Sequence, residues 1–207
     1  MAHVDRKDPR RAKSSESDYS LMEFTREFPN DDTCLEWLWR ERFSEDGKHA
    51  DCPKCKREHV PFKKYVMKQR RQTWTCTKCG HHIQPTAGTI FHKSSTSLHL
   101  WFFACHLMTS TRCGISAKQL ERELGVTYKT AHRMFKKIRT ELMTDEGDEP
   151  LSGDVEIDET SWGGGAYKKV SPRYLQSYLN EYAWRHNHRN NERAMFELLL
   201  LRAASKP

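Results

Sequence analysis

Two groups of residues in this chain have the types and spacing for metal chemistry. Cys52-Pro-Lys-Cys55 and Cys76-Thr-Lys-Cys79 are Cys-x-x-Cys pairs separated by 20 residues. At this spacing two tight turns bring four thiolates to one tetrahedral zinc ion. Gly80 follows the second pair directly, where such a turn favours positive φ. Four cysteines leave no open position for water, so Zn2+ held by Cys52, Cys55, Cys76 and Cys79 would be structural and the segment a binding module. A segment this short has little core, and zinc is expected to supply much of its folding energy. The competing readings are four reduced thiols or a redox pair; no βαβ pattern surrounds either pair to favour the latter. His49, His59, His81 and His82 stand close in sequence and are expected to face phosphates or to support the ligands.

The second group is Gly153-Asp-Val-Glu-Ile-Asp-Glu-Thr-Ser-Trp-Gly-Gly-Gly165. Its alternation predicts a β-strand with Asp154, Glu156 and Asp158 on one side. Carboxylates so placed can hold Mg2+ for phosphoryl chemistry, in which two ions flank the attacking and leaving oxygens. A solvated edge strand shows the same acids. Only 49 residues follow Asp158, and none of them is Asp. The later acids Glu181, Glu192 and Glu197 sit in helical patterns, and Arg185 offers Glu181 an ordinary i,i+4 partner.

The elements that must position these groups are mostly helical. Asn30 or Asp31 can cap a helix carrying Leu35, Leu38 and Trp39. Lys63–Met67 and Arg71–Thr75 are expected as short strands of a hairpin arm between the cysteine pairs. Its basic residues Lys63, Lys64, Arg70 and Arg71 are candidate phosphate contacts, and Trp74 is a candidate base-stacking platform. Ser97 can cap a helix through Leu107. Ser116 and Gln119 then open a short helix, Gly125 supplies a left-handed turn, and Thr127 caps a second helix. Ala131, Met134, Phe135, Ile138 and Leu142 recur at helical spacing. This is the pattern of a helix-turn-helix, with Tyr128, Lys129, Thr130, His132 and Arg133 at the front of its second helix to meet DNA. An ordinary helical hairpin gives the same pattern. Trp37, Trp39, Trp101 and Phe102 are expected in the core.

Composition agrees with a polyanion partner. The net charge is +7 and the pI about 9.0. Residues 49–85 hold nine Lys/Arg against Asp51 and Glu58, while residues 145–160 hold eight Asp/Glu and no Lys/Arg. A basic front and one acidic strand suit a protein that grips phosphates and holds divalent ions. The mean hydropathy of −0.89 implies a modest or divided core. No apolar run resembles a signal peptide or a membrane span, so a cytoplasmic, nucleoid-associated protein with no membrane partner is expected.

Glu156-Ile-Asp-Glu-Thr-Ser-Trp-Gly-Gly resembles the opening catalytic strand of DDE-type transposases of bacterial insertion sequences, in the subgroup with an N-terminal zinc ribbon. Phe28-Pro-Asn-Asp-Asp-Thr-Cys-Leu-Glu-Trp-Leu is similar to that subgroup's leading helices, and Thr86-Ala-Gly-Thr-Ile-Phe to the segment after its ribbon. The stretch from Tyr167 to Arg189 resembles its C-terminal end. The resemblance implies an RNase H-like fold, Mg2+-dependent cleavage and strand transfer at transposon ends, and Asp158 as the first metal-binding Asp. The stretch that carries the second Asp and the third ligand in that family has no counterpart between Gly165 and the C-terminal motif.

The expected fold is mostly α with a small β zinc ribbon, a helix-turn-helix, and a truncated remnant of an RNase H-like α/β domain. Residues 1–20 are expected as a disordered tail, 21–48 as N-terminal helices, and 49–85 as the ribbon. Residues 86–145 form the helical DNA-binding segment, 146–165 the first strand of the catalytic domain, and 166–207 its C-terminal helices. The expected function is that of a shortened insertion-sequence transposase that binds double-stranded inverted-repeat ends without cutting them. Its protein partners would be further copies of itself or a full-length transposase. The alternatives are a zinc ribbon/helix-turn-helix regulator and an active transposase with replacement ligands.

Overall fold

The computed structural model of the chain describes residues 19–66, 72–111, 114–143, 172–188 and 192–205. Among these residues it is mostly helical, with one small antiparallel sheet. Asp158 and the rest of its predicted strand lie outside the described residues, as do Arg70, Arg71, Cys113 and the expected tail up to residue 18. No strand follows residue 83 among the described residues.

The tail expectation needs a correction at its end. Ser20 caps helix α1 (Leu21–Glu27): its hydroxyl accepts the Glu23 N–H, and Glu23 Oε2 accepts the Ser20 N–H at 2.7 Å. This capping box satisfies two end donors reciprocally. Tyr19 is buried, its ring stacked on Phe196 at 5.1 Å. Residues 19 and 20 therefore belong to the folded unit, because the cap and an aromatic anchor hold them.

Asn30 caps helix α2 (Asp31–Phe43) by accepting the Thr33 N–H at 3.0 Å. Helix α3 (Leu98–Ser110) is capped by Ser97 and buries Leu98, Trp101, Phe102, Cys105 and Met108. Helix α4 (Ala117–Leu124) and helix α5 (Tyr128–Lys137) follow, and α5 widens into a π-helical turn, Ile138–Leu142. After residues 144–171 come helix α6 (Pro172–His188) and helix α7 (Glu192–Ser205). Helix α7 packs on α2, α3 and the π turn. Its Met195, Phe196, Leu199, Leu200 and Ala203 join Phe24, Phe28, Leu38, Phe102 and Met134 in one apolar cluster. The helices before and after residues 144–171 thus share one core, whose burial is the main driving force for the fold.

Helix α6 is fastened to the π turn by charge. Glu181 and Arg139 are almost fully buried, with Oε2 and Nε 2.6 Å apart as an ion pair off the hydrogen-bond axis. Arg185 donates to Glu181 Oε1 from Nε and Nη2 at 3.0 and 2.8 Å, and to the Thr111 carbonyl at 2.7 Å. The Arg139 guanidinium lies over the Phe135 ring at 4.6 Å and over the Tyr178 ring at 3.3 Å.

The sheet has the order β1-β2-β3-β4, with β1 (His49–Ala50), β2 (Val60–Val66), β3 (Gln72–Cys76) and β4 (His82–Ile83). Its inner face, with Val60, Phe62, Trp74 and Ile83, forms a second small core around Trp39 of α2. Trp39 stacks on Trp74 at 4.9 Å and donates its indole N–H to the Gly47 carbonyl. Arg42 donates to the carbonyls of Pro85 and Ala87. One helix thus serves both cores: Cys34 and Leu38 face the helical one and Trp39 the ribbon.

Candidate metal centre and nucleic-acid interface

The two cysteine turns are built alike. In the β1–β2 connection Lys56 N–H donates to the Cys52 carbonyl at 2.9 Å, and Cys52 N–H to the Arg57 carbonyl at 3.0 Å. In the β3–β4 connection Gly80 N–H donates to the Cys76 carbonyl at 3.0 Å, and Cys76 N–H to the His81 carbonyl at 2.8 Å. The residue after each second cysteine is left-handed, Lys56 at φ 51° and Gly80 at φ 69°. Glycine adopts this readily; lysine does so here because the turn's hydrogen bonds demand it.

The four Sγ atoms lie within 4.8 Å of one another, and those of Cys52 and Cys79 are 3.5 Å apart. Thiolates on one tetrahedral zinc at about 2.3 Å stand about 3.8 Å from each other, so the set fits such an ion. Cys52 and Cys76 are buried, and Cys55 and Cys79 half-buried. Backbone N–H groups, first that of Cys55 and then that of Lys54, hold the Cys52 thiol down at about 6. Cys52 is thereby prepared as a thiolate ligand. The remaining described cysteines are unlike these. Cys34 and Cys105 sit inside helices of the core, where burial pushes both thiols up, that of Cys105 to about 12. The four cysteines can hold a metal such as zinc, and their role would be to lock the two turns together.

The nearby histidines divide. His82 Nδ1 is 2.7 Å from Thr75 Oγ1. His49 and His59 stack on each other and group with Asp46.

On the hairpin arm Lys63 is exposed on the outer face. Tyr65, also exposed there, has its ring 5.6 Å from that of His82. Lys64 points the other way, pairing with Glu36 of α2 and lying over the Trp74 ring. Trp74 is 3% exposed. The expectation that it forms a base-stacking platform is corrected, since Trp39 covers its face and leaves none for a base.

Helices α4 and α5 form a tight pair. Ser116 accepts the Gln119 N–H at 3.1 Å, Gly125 ends α4 at φ 62°, and Thr127 accepts the Thr130 N–H at 3.4 Å. Leu120, Leu124, Ala131, Met134 and Phe135 point inward. Lys129, Arg133 and Lys136 line one exposed side of α5 at spacings of four and three residues. Arg133 also donates to Thr96 Oγ1 at 3.1 Å. Tyr128 is exposed, His132 and Thr130 half-buried, and the Lys118 ammonium lies over the Tyr128 ring. Beside them a cavity of about 210 Å³ is lined by Ser116, Lys118, Tyr128, His132 and Lys136. Lys118 and Lys136 escaped the sequence reading; the i+3 step from Arg133 was the signal for Lys136.

No protein-family model and no solved structure matches the chain. It is 34% identical over 108 residues to an uncharacterized protein in the transposable element ISH50 of Halobacterium salinarum, an overlap covering 52% of this chain and 35% of that protein. The chain thus spans about a third of the length of the curated relative it matches. No helix among the described residues is long and apolar enough to cross a membrane.

Proposed function

We propose that this chain is a transposase-related protein of an insertion sequence that binds double-stranded DNA at the element's inverted-repeat ends. The observation that carries this is the four-cysteine cluster on a basic ribbon, in a chain similar to a protein of a transposable element. Zn2+ would fix the ribbon, Lys63 and neighbouring cations would neutralise phosphates, and α5 would enter the major groove as the second helix of a helix-turn-helix. Tyr128, Lys129 and Arg133 stand on its accessible side, and Lys136 extends the basic row. Glu181 pairs with Arg139 and Arg185, which speaks against its serving as a replacement ligand for Mg2+. Between Gly165 and the C-terminal motif Tyr167–Arg189 there is no stretch with a second Asp to share an ion with Asp158, so we read the protein as binding ends without cleaving them.

The test is fluorescence anisotropy of the zinc-loaded chain on inverted-repeat DNA and on unrelated promoter DNA, across a salt series. Preference for the repeat, with Lys129→Ala, Arg133→Ala and Lys136→Ala each lowering the salt slope by about one unit, supports the reading. Equal affinity for both DNAs, or a slope that none of the three changes, refutes it. Mg2+-dependent cleavage abolished by Asp158→Ala would refute the non-cleaving part alone.

A further inference from the structure

We propose that Asp46, His49 and His59 form a second metal site, separate from the four cysteines, for a borderline divalent transition ion such as Zn2+. One ligand atom from each lies within 4.8 Å of the others. The three come from three places: the turn after α2, strand β1, and the residue before β2. They meet because β1 and β2 pair antiparallel with Ala50 opposite Val60, which carries His59 back beside His49. Their rings are nearly parallel, at 13° and with centroids 4.4 Å apart.

Each ligand is held before any ion arrives. Asp46 Oδ1 accepts the N–H groups of Lys48 and His49, both at 2.8 Å, and the Ser44 hydroxyl at 3.0 Å. That turns Oδ2 toward His49, whose Nδ1 is 2.6 Å away. His59 is left-handed at φ 48° and donates its N–H to Asp51 Oδ1 at 2.9 Å. An ion between Asp46 Oδ2 and His49 Nδ1 would need them about 3.3 Å apart, an opening of about 0.7 Å from the observed contact.

Two imidazoles and one carboxylate select Zn2+, Co2+, Ni2+ or Cu2+ over Mg2+, whose preferred ligands are all oxygen. Three protein donors leave a fourth position to water or to a phosphate oxygen, which the closed cysteine site does not have. The site joins the end of α2 to the first ribbon strand, so a bound ion would brace the two together.

The test uses the untagged full-length chain carrying one equivalent of Zn2+, with further Zn2+ titrated against a competing chelator. The expected result is a second equivalent that Asp46→Asn and His59→Asn each weaken at least about tenfold. Both substitutions are mild: asparagine keeps an Oδ1 acceptor at 46 and tolerates the left-handed backbone at 59. Affinity for the first equivalent should not change, which shows that the variants fold. Co2+ added to the zinc-loaded chain should give d–d bands without a thiolate charge-transfer band. Saturation at one equivalent, a second equivalent untouched in both variants, or a thiolate band from the added Co2+ would overturn the proposal.

Discussion

His106 offers a sharp test of how the helical core depends on pH. Its ring is 3% exposed, stacked on Phe24 at 5.0 Å and set edge-on to Tyr19 and Phe196. Its Nδ1 has no hydrogen-bond partner. Burial disfavours the imidazolium and pulls the group from 6.5 down to about 4. The folded chain therefore refuses a proton that the unfolded chain accepts below about 6.5. The contribution is intact above pH 6.5, falls as pH drops below it, and is fully lost near pH 4. A shift of this size corresponds to about 3 kcal/mol, a substantial part of an ordinary domain's stability. Urea unfolding of the zinc-loaded chain between pH 7.5 and 4.5, followed by circular dichroism, should show the loss. Other groups titrate too, so the decisive quantity is the difference from His106→Phe, which keeps a flat ring and has no proton to take up. The variant should be flatter with pH by about 2–3 kcal/mol over that range. Identical pH slopes, or an NMR titration placing His106 near 6.5, would refute the reasoning.

Three further outcomes follow from the same structure. Glu181→Leu should cost about 3–5 kcal/mol in urea unfolding, because it strands buried Arg139, whereas adding Arg139→Met should recover part of that loss. A double variant no more stable than Glu181→Leu alone would contradict this. Cys76→Ser or chelation of zinc should abolish the amide dispersion of residues 49–85 in NMR spectra while leaving most helical signal, since the helical core is a separate cluster. Gly125→Ala should cost about 1–2 kcal/mol through its positive φ alone, because an added Cβ meets nothing within 4 Å. A cost near zero would show that the α4–α5 turn relaxes.

What the sequence made legible was local. The cysteine spacing is a chelate requirement within a few residues of each turn. Ser97, Ser116, Gly125 and Thr127 all act where capping chemistry places them. Ser20 and Glu23 carried the same kind of signal, and it identifies the start of α1. The unread parts depend on distant neighbours. Trp74 looked available because a strand shows alternate faces, but the face it uses is covered by Trp39 of α2. Lys56 has no left-handed preference of its own, and the hydrogen bonds of the Cys-x-x-Cys turn impose it. Asp46, His49 and His59 become a group only through the β1–β2 register.

The joint between the π turn and helix α6 bears on how such a chain can vary in length. The π turn ends at Leu142 and helix α6 begins at Pro172. Both banks are clamped together: Arg139 holds Glu181, and Arg202 of α7 donates to the Leu142 carbonyl at 2.8 Å. The closure entropy of a flexible segment joining two clamped points grows only with the logarithm of its length. Extending it to some two hundred residues would cost roughly 2 kcal/mol. The helical unit can thus act as a socket that folds around inserts of very different size.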